Sequence, residues 1–475
     1  MGFPLIRLFS TPNNYYFFDT NRNEMKGISE STYFWLQNCI EQNNDISLYT
    51  DIPDEIIALQ HDDFLSDNQV NEIYHSLTDD VEVILERRLL KIVLQLTQSC
   101  NFRCAYCTYT ANNDSQRLHS TKSMSWKTIK EALLFLLNHS IDSPEVQVGF
   151  YGGEPLLAYD MLKKTVAYAE KLFYGKKITF TISTNGDLLN REIMNYLIAH
   201  DFQILISIDG CKEIHNKNRV FASDGSGTFD SVITGITNIQ DNNPEFVKHL
   251  TLNMVLDPSV DFDNFDCLFR EYPGLNLINV TSSLIDDTQI DIKNIYSNEY
   301  DKKVKYQQFL VYMCAYGRVP VEYISKPMQG NVNRVLRLGK HFIPSLRLPE
   351  RAAPSGPCLP GEDRLMCTVE GLLIACERVS EISECMIVGN IEKGINYNKI
   401  KALLNVANIS EEQCKKCWAF NLCDQCGKQA DMEGRLDSET RLKFCESTYK
   451  MAEQILKEKA MADELQLSYG LGGLF

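Results

Sequence analysis

Between residues 89 and about 285, six strand-length apolar runs alternate with segments of helical apolar spacing. The strand candidates are Lys91–Thr97, Val146–Tyr151, Ile178–Ser183, Gln203–Asp209, Leu250–Leu256 and Leu275–Thr281. Trp126–Asn138, Tyr159–Phe173 and Arg191–Ala199 repeat apolar residues at the spacing of one-sided helices. Strands that alternate with helices build a parallel sheet, since each crossover returns the chain to the same end. Six such units predict an α/β fold, an open partial (β/α)6 TIM-like barrel, with its chemistry at the C-terminal ends of the strands.

The flanks read differently. In residues 1–88, Ile6–Phe9, Tyr15–Asp19 and Met25–Ile28 read as short strands, with Thr11-Pro12-Asn13-Asn14 and Asn21-Arg22-Asn23 as turns. Ser29 is a candidate N-cap for a helix through Tyr33, Leu36 and Ile40, and helical pieces are expected at Asp54–Gln60 and Asn68–Leu77. Together these predict a small winged-helix-like module. The barrel is expected over 89–300, a helical bridge over 301–349, a Cys-rich domain over 350–455 and a tail over 456–475.

A formal net charge of −16 argues against nucleic acid, which needs a basic footprint, and against a polybasic membrane anchor. The opening MGFPLIRLFS has no secretory pattern, and Ile6 stands where a myristoylation signal wants Ser or Thr. A cytoplasmic protein is expected. Sixteen cysteines in a reducing compartment then point to metal or redox chemistry and away from disulfides. Cys39, Cys211, Cys267, Cys314 and Cys385 are scattered and read as small buried hydrophobes.

Two groups are not scattered. Cys100, Cys104 and Cys107 follow the first predicted strand with the spacing Cys-x3-Cys-x2-Cys. Three thiolates on one loop could hold zinc, or three irons of a four-iron cubane with the fourth left open for chemistry. Three more segments stand at predicted strand ends: Tyr151-Gly152-Gly153-Glu154-Pro155, Ser183-Thr184-Asn185-Gly186 and Ser207-Ile208-Asp209-Gly210, the last followed by His215 and Arg219. In this order the four segments resemble the radical S-adenosylmethionine (SAM) superfamily. The resemblance implies that Cys100, Cys104 and Cys107 hold a [4Fe-4S] cluster whose open iron is chelated by SAM. It also implies SAM contacts at Tyr106, Gly152, Gly153, Glu154, Ser183, Asn185, Ser207, Asp209 and Arg219. His215 reads as an ordinary satisfied histidine.

The second group runs Cys358, Cys367, Cys376, Cys414, Cys417, Cys423, Cys426 and Cys445, with Gly371 five residues before Cys376. Read alone, its Cys-x2-Cys pairs would suit a zinc ribbon. The whole resembles the SPASM extension of radical SAM enzymes, which carries two auxiliary four-iron clusters. Its implied ligands are Cys358, Cys376 and Cys426 for one cluster and Cys414, Cys417, Cys423 and Cys445 for the other, giving three [4Fe-4S] clusters in all. Two residues separate Cys423 from Cys426 where the pattern has three. Cys367 is extra: it either completes the first auxiliary cluster or leaves an iron open for a substrate thiolate, and we expect it to be dispensable.

The opening segment Asn14–Asp19 and Cys376-Glu377-Arg378-Val379-Ser380 are similar to maturases of Cys-rich ribosomal peptides. That likeness implies a precursor whose leader adds a strand to a sheet edge within residues 3–28. It further implies thioether formation after hydrogen abstraction, and a reductant such as flavodoxin or ferredoxin. Formylglycine formation as in anaerobic sulfatase maturation is an alternative, against which the roughly 90 residues ahead of Cys100 weigh. Carbon–carbon or carbon–oxygen crosslinking is another. A non-enzymatic iron–sulfur carrier or zinc scaffold would have no use for the Gly152–Glu154 and Ser183–Asn185 segments.

Overall fold

The computed structural model describes residues 4–42, 49, 51–110, 116–286, 295–345, 347–362 and 364–465. It divides into two compact units, one of residues 1–79, 333–359 and 401–475, the other of residues 80–332 and 360–400. This division differs from the linear one above in placing residues 360–400 with the barrel.

In the first unit, β1 (Ile6–Ser10), β2 (Tyr15–Asp19) and β3 (Glu24–Ile28) form an antiparallel sheet in that order. Strand alternation sorts β2 between two cores. Phe17 packs with Leu36, Ile56 and Phe64, under the helices Glu30–Glu41 and Asp54–His61. Tyr16 and Phe18 pack with Phe342, Leu422, Ala452 and Leu456, the last two from the helix Cys445–Glu464. Ser29 caps the first helix by accepting from Thr32 N–H, as expected. The helix expected at Asn68–Leu77 does not form. Instead β4 (Glu72–Ile73) pairs parallel with Arg351–Ala352, and Asn68 Oδ1 accepts from Val70 N–H at 3.1 Å. A partner far along the chain overrides local propensity there. Residues 456–464, expected in the tail, are the last turns of the long helix, because Glu464 accepts from Thr11, Asn14 and Tyr16 side chains. The rest of the expected tail, 466–475, lies outside the described residues.

The second unit is built on one sheet. Its parallel strands are β5 (Lys91–Thr97), β6 (Glu145–Gly152), β7 (Lys177–Thr184), β8 (Gln203–Ser207), β9 (Leu250–Leu256) and β10 (Asn279–Leu284), adjacent in chain order. β5 is buried from Ile92 to Thr97, as a parallel strand covered on both faces must be. Helices Trp126–His139, Tyr159–Leu172 and Arg191–Ala199 bury one apolar stripe each, and Ser125 and Asn190 cap the first and third. Phe150, Phe180 and Phe202 stack with centroids 5.9 and 5.3 Å apart, each adding roughly 1.5–3 kcal/mol of burial. The sixth strand begins at Asn279, four residues later than expected, because Pro273 opens a 3-10 turn through Leu277. Beyond β5 the sheet continues with Met366–Cys367, parallel to it, and then the antiparallel strands Leu372–Ile374, Ile387–Asn390 and Gly394–Ile395. Residues expected to bridge contain the helix Asn298–Ala315, capped by Ser297.

Two of the cysteines read as lone hydrophobes are not alone. Cys211 follows β8 and Cys267 lies after β9, so neighbouring βα connections bring them together as a disulfide with Cα atoms 5.7 Å apart. Cys39 is buried, as expected, whereas Cys314 and Cys385 are only half-buried. No helix among the described residues is long and apolar enough to cross a membrane.

Candidate active site

The loop after β5 is held by backbone. Gly153 N–H donates to Thr97 O at 2.9 Å and Glu154 N–H to Ser99 O at 2.8 Å. The approach excludes side chains. A Cβ on Gly153 would stand 1.9 Å from Ser99 O; on Gly152, at φ +132°, it would stand 2.4 Å from Thr97 O. The far side of the loop is stitched to residues 218–222: Arg103 N–H donates to Val220 O, Ala105 N–H to Asn218 O and Ala222 N–H to Asn101 O, each at 2.8 Å. These bonds gather Cys100, Cys104 and Cys107. Burial pushes the Cys100 thiol up to about 11 and the Cys104 thiol up to about 12, and Cys107 adds to both. Metals bind cysteine as thiolate, so a metal held by this loop would displace the thiol protons.

Glu154 ties the ends of β6 and β7 together. Its carboxylate accepts from Leu156 N–H at 2.9 Å, Thr184 Oγ1 at 2.9 Å and Asn185 N–H at 2.7 Å. Burial pushes it up to about 7, against the pull of these donors. Of its roughly four lone-pair sites, three are used and one is left for a ligand amine. Asn185 Nδ2 donates to Asn101 Oδ1 at 2.8 Å, linking β7 back to the cysteine loop. Ser183 and Ser207 are half-buried at the ends of β7 and β8.

Asp209 and Arg219 form a buried pair, with Nε at 2.9 Å and Nη2 at 3.1 Å from the carboxylate. Asp209 also accepts from Tyr106 OH at 2.5 Å and Val255 N–H at 3.1 Å. The remaining Arg219 nitrogen, Nη1, points at Cys104 Sγ, 3.8 Å away. The guanidinium expected on SAM is therefore oriented by Asp209 and turned toward the cysteine loop. His215 is a satisfied core histidine: Nδ1 accepts from Asp209 N–H and Nε2 pairs with Thr228 Oγ1. Burial, and then Arg219, hold it down to about 4.

Sequence reasoning missed a second buried network beside this loop. Glu381 accepts from Gln95 Nε2 at 2.7 Å, Tyr109 OH at 2.6 Å and Arg117 Nε at 2.7 Å, and Arg117 lies 3.9 Å over the Tyr109 ring. The one sequence signal for it is Gln95, a polar residue inside the apolar run Ile92–Leu96.

The later cysteines divide. Cys414, Cys417, Cys423 and Cys445 share the first unit, and each sulfur has a hydrogen-bond partner. Arg441 Nη1 stands 3.1 Å from Cys414, Tyr449 OH 3.7 Å from Cys417 and Gln425 Nε2 3.6 Å from Cys445; Gln425 N–H serves Cys423. Cys358 and Cys426 fall in the first unit, Cys367 and Cys376 in the second. Cys367 is buried in the sheet opposite Leu94, and burial alone pushes its thiol up to about 12. Among the described residues no three His, Cys, Asp or Glu gather as around a single metal ion. A cubane asks for something else, one thiolate on each of several irons. Three thiols on one loop, and four thiols each with its own hydrogen-bond partner, fit that demand.

The profile of the Radical SAM superfamily matches residues 94–270. An uncharacterized protein of Methanocaldococcus jannaschii is 30% identical over 231 residues, which is 44% of this chain and 76% of that protein. The cysteine-type anaerobic sulfatase-maturating enzyme of Clostridium perfringens is 24% identical over 376 residues, 76% of this chain and 94% of that enzyme. The solved structure of native anSMEcpe with bound AdoMet superposes with a TM-score of 0.57 at 20% identity, covering 79% of this chain and 99% of that one; it shares the fold. The pinned cysteine loop, the strand-end segments in their order and these matches agree: the chain belongs to the radical SAM superfamily.

Proposed function

We propose that the chain is a radical SAM maturase that modifies a ribosomally made, Cys-rich precursor peptide, with thioether crosslinking as the reaction. The observation that carries this reading is the second thiol group, Cys414, Cys417, Cys423 and Cys445, in the unit that also contains a small sheet with an open edge. When bound, the cluster and SAM supply a 5′-deoxyadenosyl radical for hydrogen abstraction. Cys100, Cys104 and Cys107 hold that cluster. Glu154 offers its remaining lone pair to the SAM amine, and Gly152 and Gly153 bring backbone close. Tyr106, Ser183, Asn185, Ser207 and Asp209 complete the binding surface, and Arg219 sets its charge. Cys414, Cys417, Cys423 and Cys445 hold one auxiliary cluster; Cys358, Cys376 and Cys426 serve the other, three [4Fe-4S] clusters in all, without need of Cys367. Such clusters suit a reaction that removes two electrons from its substrate. Flavodoxin or ferredoxin would serve as reductant.

The winged-helix-like module is the leader site. β3 pairs only with β2, so its outer edge is free of strands among the described residues. Phe34, 53% exposed on the helix that follows, offers an apolar anchor beside it. About a fifth of this chain lies outside the match to anSMEcpe, which leaves room for such a module.

Formylglycine formation is the second reading, favoured by the match to nearly the whole of the Clostridium perfringens enzyme. One related solved structure holds AdoMet and a Cp18Cys peptide, which supports a peptide substrate under either reading. The deciding experiment is anaerobic reconstitution with SAM, reductant and candidate peptides, read by product mass and thiol count. A thioether consumes one thiol and two hydrogens. Formylglycine replaces the thiol with an aldehyde. Full retention of peptide mass and thiols, with SAM cleaved, would remove the thioether reading.

A further inference from the structure

Arg441 is 1% exposed, yet among the described residues none of its side-chain hydrogen bonds goes to a carboxylate. Nη1 donates to Ser410 Oγ at 2.9 Å and to Cys414 Sγ at 3.1 Å. Nε and Nη2 have no partner among the described residues. A buried cation with two orphaned donors is costly unless an anion completes it. The other neighbours, Tyr449 on Cys417 and Gln425 on Cys445, are neutral. Arg441 is the charged residue among these hydrogen-bond partners, and the Asp424 carboxylate near Cys423 acts in the opposite sense.

We infer that Arg441 is a positioning residue that raises the reduction potential of the cluster held by Cys414, Cys417, Cys423 and Cys445. The inference rests on the reading that these four cysteines hold a cluster. Cluster potentials follow net charge and hydrogen bonds to sulfur. A reduced cluster carries one more negative charge than an oxidised one. A fixed guanidinium that donates to Cys414 through Nη1 stabilises the reduced form more. No proton is exchanged and no bond changes; the residue biases one electron toward this centre. Tyr449 and Gln425 orient the sulfurs without that bias.

The test is an EPR-monitored redox titration of the reconstituted full chain beside Arg441→Met and Arg441→Lys, with iron counted in each. Arg441→Met should move one couple negative, with at least about a tenfold lower reduced-to-oxidised ratio at fixed potential, which is about 59 mV for one electron. Arg441→Lys keeps the charge but loses the planar fork, and should move the same couple the same way by less. Parental iron with no couple moved in either variant overturns the inference. Should Arg441→Met lose iron, Arg441→Lys decides: parental iron with an unmoved couple leaves Arg441 a merely structural role. Separately, parental iron in the Cys414/Cys417/Cys423/Cys445→Ala protein would overturn the cluster reading itself.

Discussion

The two thiol groups are held in different ways. Cys100, Cys104 and Cys107 sit on a single loop whose shape is set by backbone bonds and by two glycines that admit no Cβ. Cys414, Cys417, Cys423 and Cys445 span 32 positions and have side-chain partners, with Arg441 and Gln425 donating to Cys414 and Cys445 and Tyr449 OH accepting from Cys417. The first arrangement is local, so it leaves a compact spacing in the sequence. The second is assembled from several short elements. One thiol group is thus shaped by main chain and the other by its side-chain neighbours.

The largest effect expected is on iron and SAM cleavage. Cys100/Cys104/Cys107→Ala should lose about four irons and all SAM cleavage. Cys414/Cys417/Cys423/Cys445→Ala should lose about as many irons, keep reductive SAM cleavage and make no crosslinked product. Iron analysis and chromatography of 5′-deoxyadenosine check both; loss of cleavage in the second variant would break the comparison.

Next is Asp209→Asn, which strips the buried Arg219 of its counter-charge. It should cost about 3–5 kcal/mol in denaturant unfolding and weaken SAM binding. Unchanged unfolding would show that the pair is not what orients Arg219.

The third concerns pH. His215 titrates at about 4 when folded against an ordinary 6.5, so between these values the unfolded chain binds the extra proton. Its contribution is fully present above pH 6.5 and is lost as pH falls toward 4, on the order of 3 kcal/mol. His215→Gln should flatten that part of the stability–pH curve, and an unaltered slope would assign the loss elsewhere. Gly153→Ala comes next, at about 1–3 kcal/mol with reduced iron at the first group only. The smallest effect is Cys367→Ala, which should leave the iron count unchanged because this sulfur is buried in the sheet.

Five of the six barrel strands lie within two residues of where apolar runs place them, because a strand covered on both faces has to be apolar. The sixth was misplaced by the 3-10 turn at Pro273, and Asn68–Leu77 by a pairing with residues some 280 positions away. The cysteine loop and its glycines were legible, since main-chain constraints restrict residue type at fixed offsets. The Glu381 network and Arg441 were not. Each joins side chains from distant segments, and nothing in the spacing of Gln95, Arg117 and Glu381 announces that they meet. The Cys211–Cys267 disulfide escaped for the same reason.

The pairing of Met366–Cys367 with β5 has a consequence for how the protein is made. The first strand of the sheet leaves the ribosome about 270 residues before the segment that flanks it on that side. At 5–20 residues per second, that edge stays bare for roughly 13–55 s. During this time β5 offers open main-chain groups to any passing strand, with the Cys100–Cys107 loop next to it. Slow expression at low temperature lengthens the exposure, and a chaperone that covers extended apolar segments would raise the yield of soluble protein.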